Sequence, residues 1–479
     1  MSNTAAAPTH TDRLIDLDFA HVWRPFTPMR QWRRGRPIII ERGEGFTLID
    51  TDGNRYIDGY SSLWCNVHGH CVSEIDEAIR DQLGKIAHAT MLGSGTIPAI
   101  VLAGRLVEIV NRAEPMISSP KLNTVFYTDS GATATEVAFK MAAGHHYHRG
   151  DAKRDTFLAI SGGYHGDTVG AMSVGFLDSM HRPFEAFTFS TKKTPAPDVC
   201  RCGTPTSAGG EWPNWDAGRC DRVRDEALTA LDEILDAMAD RLCALVIEPT
   251  MQGAGGMIRQ PDGYLSGVVQ RCRRLGVLVI ADEVATGLGR TGAMLACDLE
   301  HVRPDILCLA KGLTGGYLPL AATLSTDEIA ESFEGEIGEG KTLYHGHTYT
   351  GNPLASAAAL ASLDRIERNG VVENGAKIGA IIQSRLRESL EDHPNVGDVR
   401  NRGVLTGIEL VRSRKPWTPL DANLRIGAAV CDAVVQRGTM IRPLGDVVVL
   451  NPAPAMDEAT VHRLLDAVIG AIVEFPFPA

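Results

Sequence analysis

Two short apolar runs decide how this chain is read. The first is Val277-Leu-Val-Ile-Ala281, followed by Asp282-Glu-Val-Ala-Thr-Gly287; the second is Ile306-Leu-Cys-Leu-Ala310, followed by Lys311-Gly-Leu-Thr-Gly-Gly316. Each has the length of a strand buried on both faces. Each stops at a charged residue, Asp282 in one case and Lys311 in the other. In an open α/β sheet, ligands gather beyond the carboxyl ends of the strands. One strand therefore delivers a carboxylate to that edge and the next delivers an amine.

Either residue alone is ordinarily a solvated loop side chain. Together, an Asp facing a pyridinium nitrogen and a Lys forming a Schiff base are what pyridoxal phosphate (PLP) chemistry asks of a protein. A competing signal lies between them, because Gly287-Leu-Gly289-Arg-Thr-Gly292 matches the dinucleotide-binding pattern. It starts well past the strand end, and no acidic residue lies about twenty positions beyond its last glycine, where a ribose ligand belongs. A Rossmann site is rejected.

The flanking segments supply further strand ends. Leu122 to Tyr127 reads as a buried strand, followed by Thr128-Asp129-Ser130-Gly131-Ala132-Thr133 and a helix from Glu136 to Tyr147. A small hydroxyl and a glycine entering a helix N-terminus point free N–H groups and the helix dipole at an anion. The strand Thr156 to Ile160 ends at Ser161-Gly-Gly-Tyr164-His165-Gly166-Asp167, where Tyr164 could stack on a planar cofactor. Leu242 to Ile247 is a strand leading into Glu248-Pro-Thr-Met-Gln252-Gly253. Tyr344-His345-Gly346-His347-Thr348, ahead of a helix from Leu354 to Arg368, is a second candidate phosphate contact through Thr348.

At the start of the chain, residues 1–60 read as an irregular arm and then short strands, with a hairpin turn at Thr51-Asp52-Gly53-Asn54. Ser61 to His70 mixes polar and aromatic residues too irregularly for a regular element. After Asn369 come helices (Gly370 to His393, Leu424 to Arg437) and short strands (Val404 to Leu410, Val447 to Leu450), a separate α+β unit. There Arg442, in an apolar setting, could clamp a carboxylate. The expected division is 1–60, 61–368 with an insertion at 194–218, and 369–479.

A net charge of −12 over 479 residues argues against a nucleic-acid or anionic-membrane surface. No apolar run approaches the ~18 to 20 residues of a membrane span, and Met1 to His21 lacks the apolar core of a signal peptide. The expectation is a soluble, cytoplasmic protein. Ten scattered cysteines suggest reduced thiols. Cys200, Cys202 and Cys220 match zinc-ligand spacing only weakly, so no metal is expected.

Taken together, these motifs resemble the class III PLP-dependent aminotransferases of fold type I. The resemblance runs from about His21 to Pro454. It is carried by Val279 to Lys311 with the glycines after it, His21-Val-Trp-Arg-Pro25-Phe26, Ser61-Ser-Leu-Trp64, Tyr164-His-Gly-Asp-Thr168, Gln252-Gly-Ala-Gly-Gly-Met257, His345-Gly-His-Thr348 and Ile441-Arg442-Pro443. The insertion at 194–218 is not covered. The resemblance implies an aspartate-aminotransferase-like α/β fold, with a large mostly parallel mixed sheet and a smaller α+β unit. It implies that Lys311 carries the cofactor, Asp282 protonates its ring and Tyr164 packs on the ring. Ser130, Gly131 and Ala132 would bind phosphate from one subunit, and His347 with Thr348 from the other, in a homodimer with shared sites. Phe26, Trp64, Gly346 and Arg442 would contact substrate, Arg442 through its carboxylate.

The branch resembled most aminates 8-amino-7-oxononanoate on the way to biotin. Phe26, and Leu63 before Trp64, depart from members that use S-adenosylmethionine as amino donor and resemble a smaller branch that uses lysine. An ω-amino acid or diamine:pyruvate transaminase on the same fold is the alternative.

Overall fold

The computed structural model describes residues 9–117, 119–198, 217–414 and 416–478. Its largest sheet has seven strands, in the spatial order Leu122–Thr128, Ala321–Thr326, Ile306–Leu309, Leu278–Asp282, Leu242–Ile247, Thr156–Ile160, Lys192–Thr194. From Ile306–Leu309 onward neighbouring strands are parallel. Ala321–Thr326 is antiparallel to both of its neighbours. The sheet is therefore mixed and mostly parallel, in an α/β arrangement.

Helices cover both faces, which is why the central strands read as unbroken apolar runs. Successive residues serve opposite cores. Val279, Ala281, Leu307 and Leu309 pack with the helices Ile97–Val110 and Tyr264–Arg274. Ile280, Ile306 and Cys308 pack with Ala134, Val137, Ala138 and Met141 of the helix Gly131–His148. Asp282 follows this alternation toward the second side, and pairing opposite Cys308 makes it the last residue of its strand. The other strand stops one residue before its expected end. Ala310 leaves the ladder, and Lys311 opens a tight turn, Lys311–Thr314, with φ of 43°.

A second sheet joins the two ends of the chain. Thr47–Asp50 and Arg55–Asp58 form the expected hairpin, Ile40–Glu44 extends it to a three-stranded meander, and Thr439–Met440 adds a parallel strand to Arg55–Asp58. A third sheet contains Val396–Arg402, Leu405–Arg414, Val447–Leu450 and Arg442–Leu444, with Trp417–Pro419 paired to Leu405–Arg414. Its core takes Ile378, Ile382, Leu386, Leu464 and Val468 from two long helices. Arg400 of this sheet is buried, and its guanidinium donates to the carbonyls of Gly256 (2.6 Å) and Met257 (2.8 Å) in the loop after Glu248.

Part of the arm is ordered as a helix, contrary to expectation: His10–His21, closed by a capping box between Thr9 and Asp12. Thr11, Ile15 and Asp18 are its buried residues, and Thr11 Oγ1 donates to Asp52 of the hairpin turn (2.6 Å). Among the described residues no helix is long and apolar enough to cross a membrane. Cys200 and Cys202 lie outside the described residues and Cys220 is half-buried. Among the described residues no group of three or more His, Cys, Asp or Glu could hold a metal.

Candidate active site

The two strand ends that opened the sequence reading lie side by side, and a third carboxylate joins them. Asp282 is buried; its Oδ2 accepts from His165 Nδ1 at 2.8 Å and its Oδ1 from the Val284 N–H at 3.1 Å. With its proton on Nδ1, His165 leaves Nε2 bare and buried, without a hydrogen-bond partner among the described residues. On the adjacent strand, Ile247 pairs with Ala281, which brings Glu248 beside Asp282. Glu248 is buried too, and accepts from the N–H groups of Tyr164 (3.0 Å) and Gly253 (2.9 Å). Burial first, and the neighbouring Asp282 charge after it, push Glu248 up to about 7, against the pull of His165.

Lys311 Nζ stands 4.7 Å from the centroid of the Trp64 ring. Among the described residues it has neither a hydrogen bond nor an ion pair. Burial lowers its pKa, the Arg290 charge adds to that, and the Asp282 and Glu248 carboxylates oppose it. The amine is thereby moved toward its neutral form, in a backbone conformation with positive φ that a lysine adopts only where the surroundings impose it.

Trp64 is held by a feature that sequence reasoning left as irregular. Ser61, Ser62, Leu63 and Trp64 have φ of 52°, 47°, 72° and 67°, a left-handed turn without a glycine. The buried Asp58 clamps it, taking the Ser62 N–H (2.9 Å), the Ser62 hydroxyl (2.8 Å) and His70 Nε2 (3.0 Å). Ser61 Oγ donates to the Asn451 carbonyl at 2.6 Å. Nearby, the buried Arg290 spans Asn451 Oδ1 and the Asn66 carbonyl, each at 2.9 Å. Burial brings its guanidinium down to about 10, against the pull of Cys65 and Asp58.

Beyond the carboxylates, Ser130 caps the helix Gly131–His148 by exchanging bonds with Thr133. This leaves the first-turn N–H groups of Gly131 and Ala132 without helical acceptors. The walls close tightly around them. A Cβ on Gly131 would come within 2.5 Å of Val284 Cγ1, and one on Gly166 within 2.3 Å of the Ala132 Cβ. The result is a cup of backbone donors at the positive end of a long helix, suited to phosphate.

Among the remaining expected residues, Tyr164 lies beside the carboxylates. Its hydroxyl donates to Asp167 Oδ2 (2.8 Å), and its ring stacks on His181 with centroids 6.3 Å apart. His347 reaches Asp129, the residue before Ser130, within a single chain (2.6 Å), while Gly346 and Thr348 are exposed. Arg442 is exposed and, among the described residues, has no ion-pair partner; its charge is felt by Tyr60, just before the turn. Phe26 is 65% exposed, and within one chain no described contact takes it to Lys311. Sequence reasoning gave no role to Asp58, His165, Glu248 or Arg290. The signal for Arg290 lay inside the rejected glycine pattern.

The family model for class-III aminotransferases matches residues 29–472. The chain belongs to that family. This aminotransferase is 46% identical over 472 residues to the adenosylmethionine-8-amino-7-oxononanoate aminotransferase of Nitratidesulfovibrio vulgaris, covering 98% of this chain and 83% of the relative. The crystal structure of the like-named enzyme from Methanocaldococcus jannaschii superposes with a TM-score of 0.87 at 42% identity, covering 97% of this chain and 99% of that one. A PLP-bound amine transaminase from an uncultivated Pseudomonas species gives the same TM-score, 0.87, at 32% identity, covering 95% of this chain and 98% of that one.

Proposed function

We propose that this aminotransferase uses PLP to convert 8-amino-7-oxononanoate to 7,8-diaminononanoate in biotin biosynthesis, with lysine or S-adenosylmethionine as amino donor. The observation that carries the chemistry is a half-buried lysine amine, without a partner among the described residues, one strand away from a buried, oriented aspartate. Identities of 42% and 46% to enzymes named for this acceptor support the substrate.

When bound, PLP supplies an aldehyde that exchanges amines and a protonated ring that takes up the electron pair left by a broken C–H bond. The residues present fit it: a backbone cup for a phosphate, an acid for a ring nitrogen, an amine for an aldehyde. Lys311 Nζ, lowered by burial, takes the proton from the donor carbon and returns it to the acceptor carbon. Asp282, aimed by His165, holds a proton at the ring nitrogen. Ser130, Gly131 and Ala132 bind phosphate from one subunit, with His347 and Thr348 from the other completing the cup. Tyr164, tied to Glu248 and Asp167, covers the ring. Trp64, Phe26 and Gly346 shape the substrate pocket, where the free guanidinium of Arg442 holds a carboxylate.

The same proposal has the chain working as a homodimer with shared sites, and divides it at residues 60 and 368. Supporting the dimer, Leu92 (90% exposed), Ile97 (80%) and Tyr344 (78%) lie on two segments that meet where the His88 and Tyr349 rings approach to 4.9 Å. An apolar patch of that kind marks a protein interface. The second reading, an ω-amino acid or diamine:pyruvate transaminase, is favoured by the match to the amine transaminase. The deciding experiment gives the PLP form lysine or S-adenosylmethionine separately and follows its conversion to pyridoxamine phosphate, then adds 8-amino-7-oxononanoate or pyruvate. Turnover with pyruvate and an ω-amine alone would select the second reading.

A further inference from the structure

Four polar groups beside the phosphate cup are joined end to end. Lys140 Nζ lies 3.0 Å from His345 Nδ1, His345 Nε2 lies 3.1 Å from His347 Nε2, and His347 Nδ1 lies 2.6 Å from Asp129 Oδ2. An ammonium only donates and a carboxylate only accepts, while a neutral imidazole does one of each. His345 Nδ1 must accept from Lys140, so its proton sits on Nε2. That N–H donates to His347 Nε2, and His347 therefore carries its proton on Nδ1 and donates to Asp129. One protonation pattern satisfies all three contacts: both rings neutral, in opposite tautomers.

We propose that Lys140, His345, His347 and Asp129 form a directional relay that fastens the loop bearing Gly346 and Thr348 to the edge of the phosphate cup, and that a proton on His345 releases its Lys140 end. For residues 344–348, no other hydrogen bond to the rest of the chain is described; His345 N–H to Leu343 and His347 N–H to Thr350 stay within the loop. Asp129 directly precedes Ser130, where an uncompensated negative charge would repel an anion, and the relay offsets it with a donated N–H. A second proton on His345 would set an N–H against the Lys140 ammonium. The groups facing His345 are Lys140 and Glu136 of the helix, the Phe126 ring at 5.9 Å and His347; those facing His347 are His345 and Asp129. Burial, then Lys140 and His347, hold His345 below the ordinary histidine range, with Glu136 opposing. His345 is thereby kept in the neutral form that its place between Lys140 and His347 requires.

The functional half of this inference rests on reading Ser130 to Ala132 as a phosphate cup; the tautomers do not. Long-range proton–nitrogen correlation on the full-length protein, labelled with ¹⁵N-histidine and recorded with and without added PLP, reads the tautomers at neutral pH. His345→Gln and His347→Gln supply the assignments. His345 should carry its proton on Nε2 and His347 on Nδ1; a shared tautomer, or either ring doubly protonated, overturns the relay. The second measurement is PLP affinity at pH 7.5 and 5.5. Glutamine at position 345 can accept from Lys140 and donate to His347 without titrating. Wild type should lose about tenfold more affinity on acidification than His345→Gln, the equivalent of one unit of linkage. Asp129→Ala should bind about tenfold more weakly than wild type at pH 7.5, a single charge-assisted hydrogen bond's worth. Equal acid sensitivity in wild type and His345→Gln, or wild-type affinity in Asp129→Ala, overturns the latch. Wild-type protein that failed to bind PLP at all would instead refute the cup, leaving the tautomers to decide the relay.

Discussion

Replacing Asp58 with alanine separates two things that this carboxylate does. It receives three bonds, two from Ser62 and one from His70, in a buried setting. Bonds to an ionised group contribute ~1.5–3 kcal/mol each, so the clamp is worth roughly 4.5–9 kcal/mol. The four left-handed residues it restrains cost ~1–2 kcal/mol each, roughly 4–8 kcal/mol altogether. The two ranges nearly cancel. In Asp58→Ala the turn relaxes, recovering strain as it loses the clamp, and global stability should fall by no more than about 3 kcal/mol. The catalytic loss should be disproportionate, because a relaxed turn carries Trp64 off its place 4.7 Å from Lys311 Nζ. A fall in kcat/KM of at least about a hundredfold, or ~2.7 kcal/mol, is expected. Urea unfolding and steady-state kinetics measure the two quantities on the same preparation. Destabilisation above about 5 kcal/mol would mean that the clamp outweighs any stored strain. A stable variant with unchanged kcat/KM would mean that the turn does not position Trp64.

The remaining predictions are independent of that turn. Lys311→Ala should abolish both turnover and the borohydride-reducible PLP–lysine adduct, and a lysine adduct found elsewhere in the chain would refute the assignment. Asp282→Asn should retain PLP but lose turnover by orders of magnitude; near-wild-type rates would show that another group holds the ring proton. His68 is buried against Ser362 (3.0 Å), and burial, with Arg365 beside it, lowers its pKa to about 4 from 6.5. Its folded value is depressed, so stability is full above pH 6.5 and falls as pH drops toward 4. The loss reaches about 3 kcal/mol at the acid end. His68→Gln should flatten that part of the stability–pH curve, as read by denaturant titration. Ile100→Asp, on the exposed apolar face of the helix Ile97–Val110, should shift the molecular mass measured by light scattering from dimer toward monomer.

The strands were legible because burial on both faces leaves unbroken apolar runs, and the candidate site was placed by the charge at which each run stops. What escaped had no local signature. His165 meets Asp282 across 117 positions, a pairing that no spacing rule contains. The turn at Ser61 to Trp64 adopts positive φ without the glycine that usually announces it. Arg290 lay within a glycine pattern read only for dinucleotide binding. The helix His10–His21 did have a signature, in Thr9 and Asp12 spaced as a capping box, but it was masked by the polar composition around it. Phe26 was placed by resemblance alone, and a single chain leaves it at the surface.

Arg400 has a consequence for how the enzyme is made. The carbonyls of Gly256 and Met257 receive their donor from a residue about 144 positions later in the chain. While the polypeptide is still emerging from the ribosome, the loop after Glu248 has no such donor, and a buried carbonyl without one is strongly disfavoured. The pocket proposed for PLP would therefore mature late, once Arg400 has been synthesised and docked, and a product terminated before it should be inert even with Lys311 and Asp282 present.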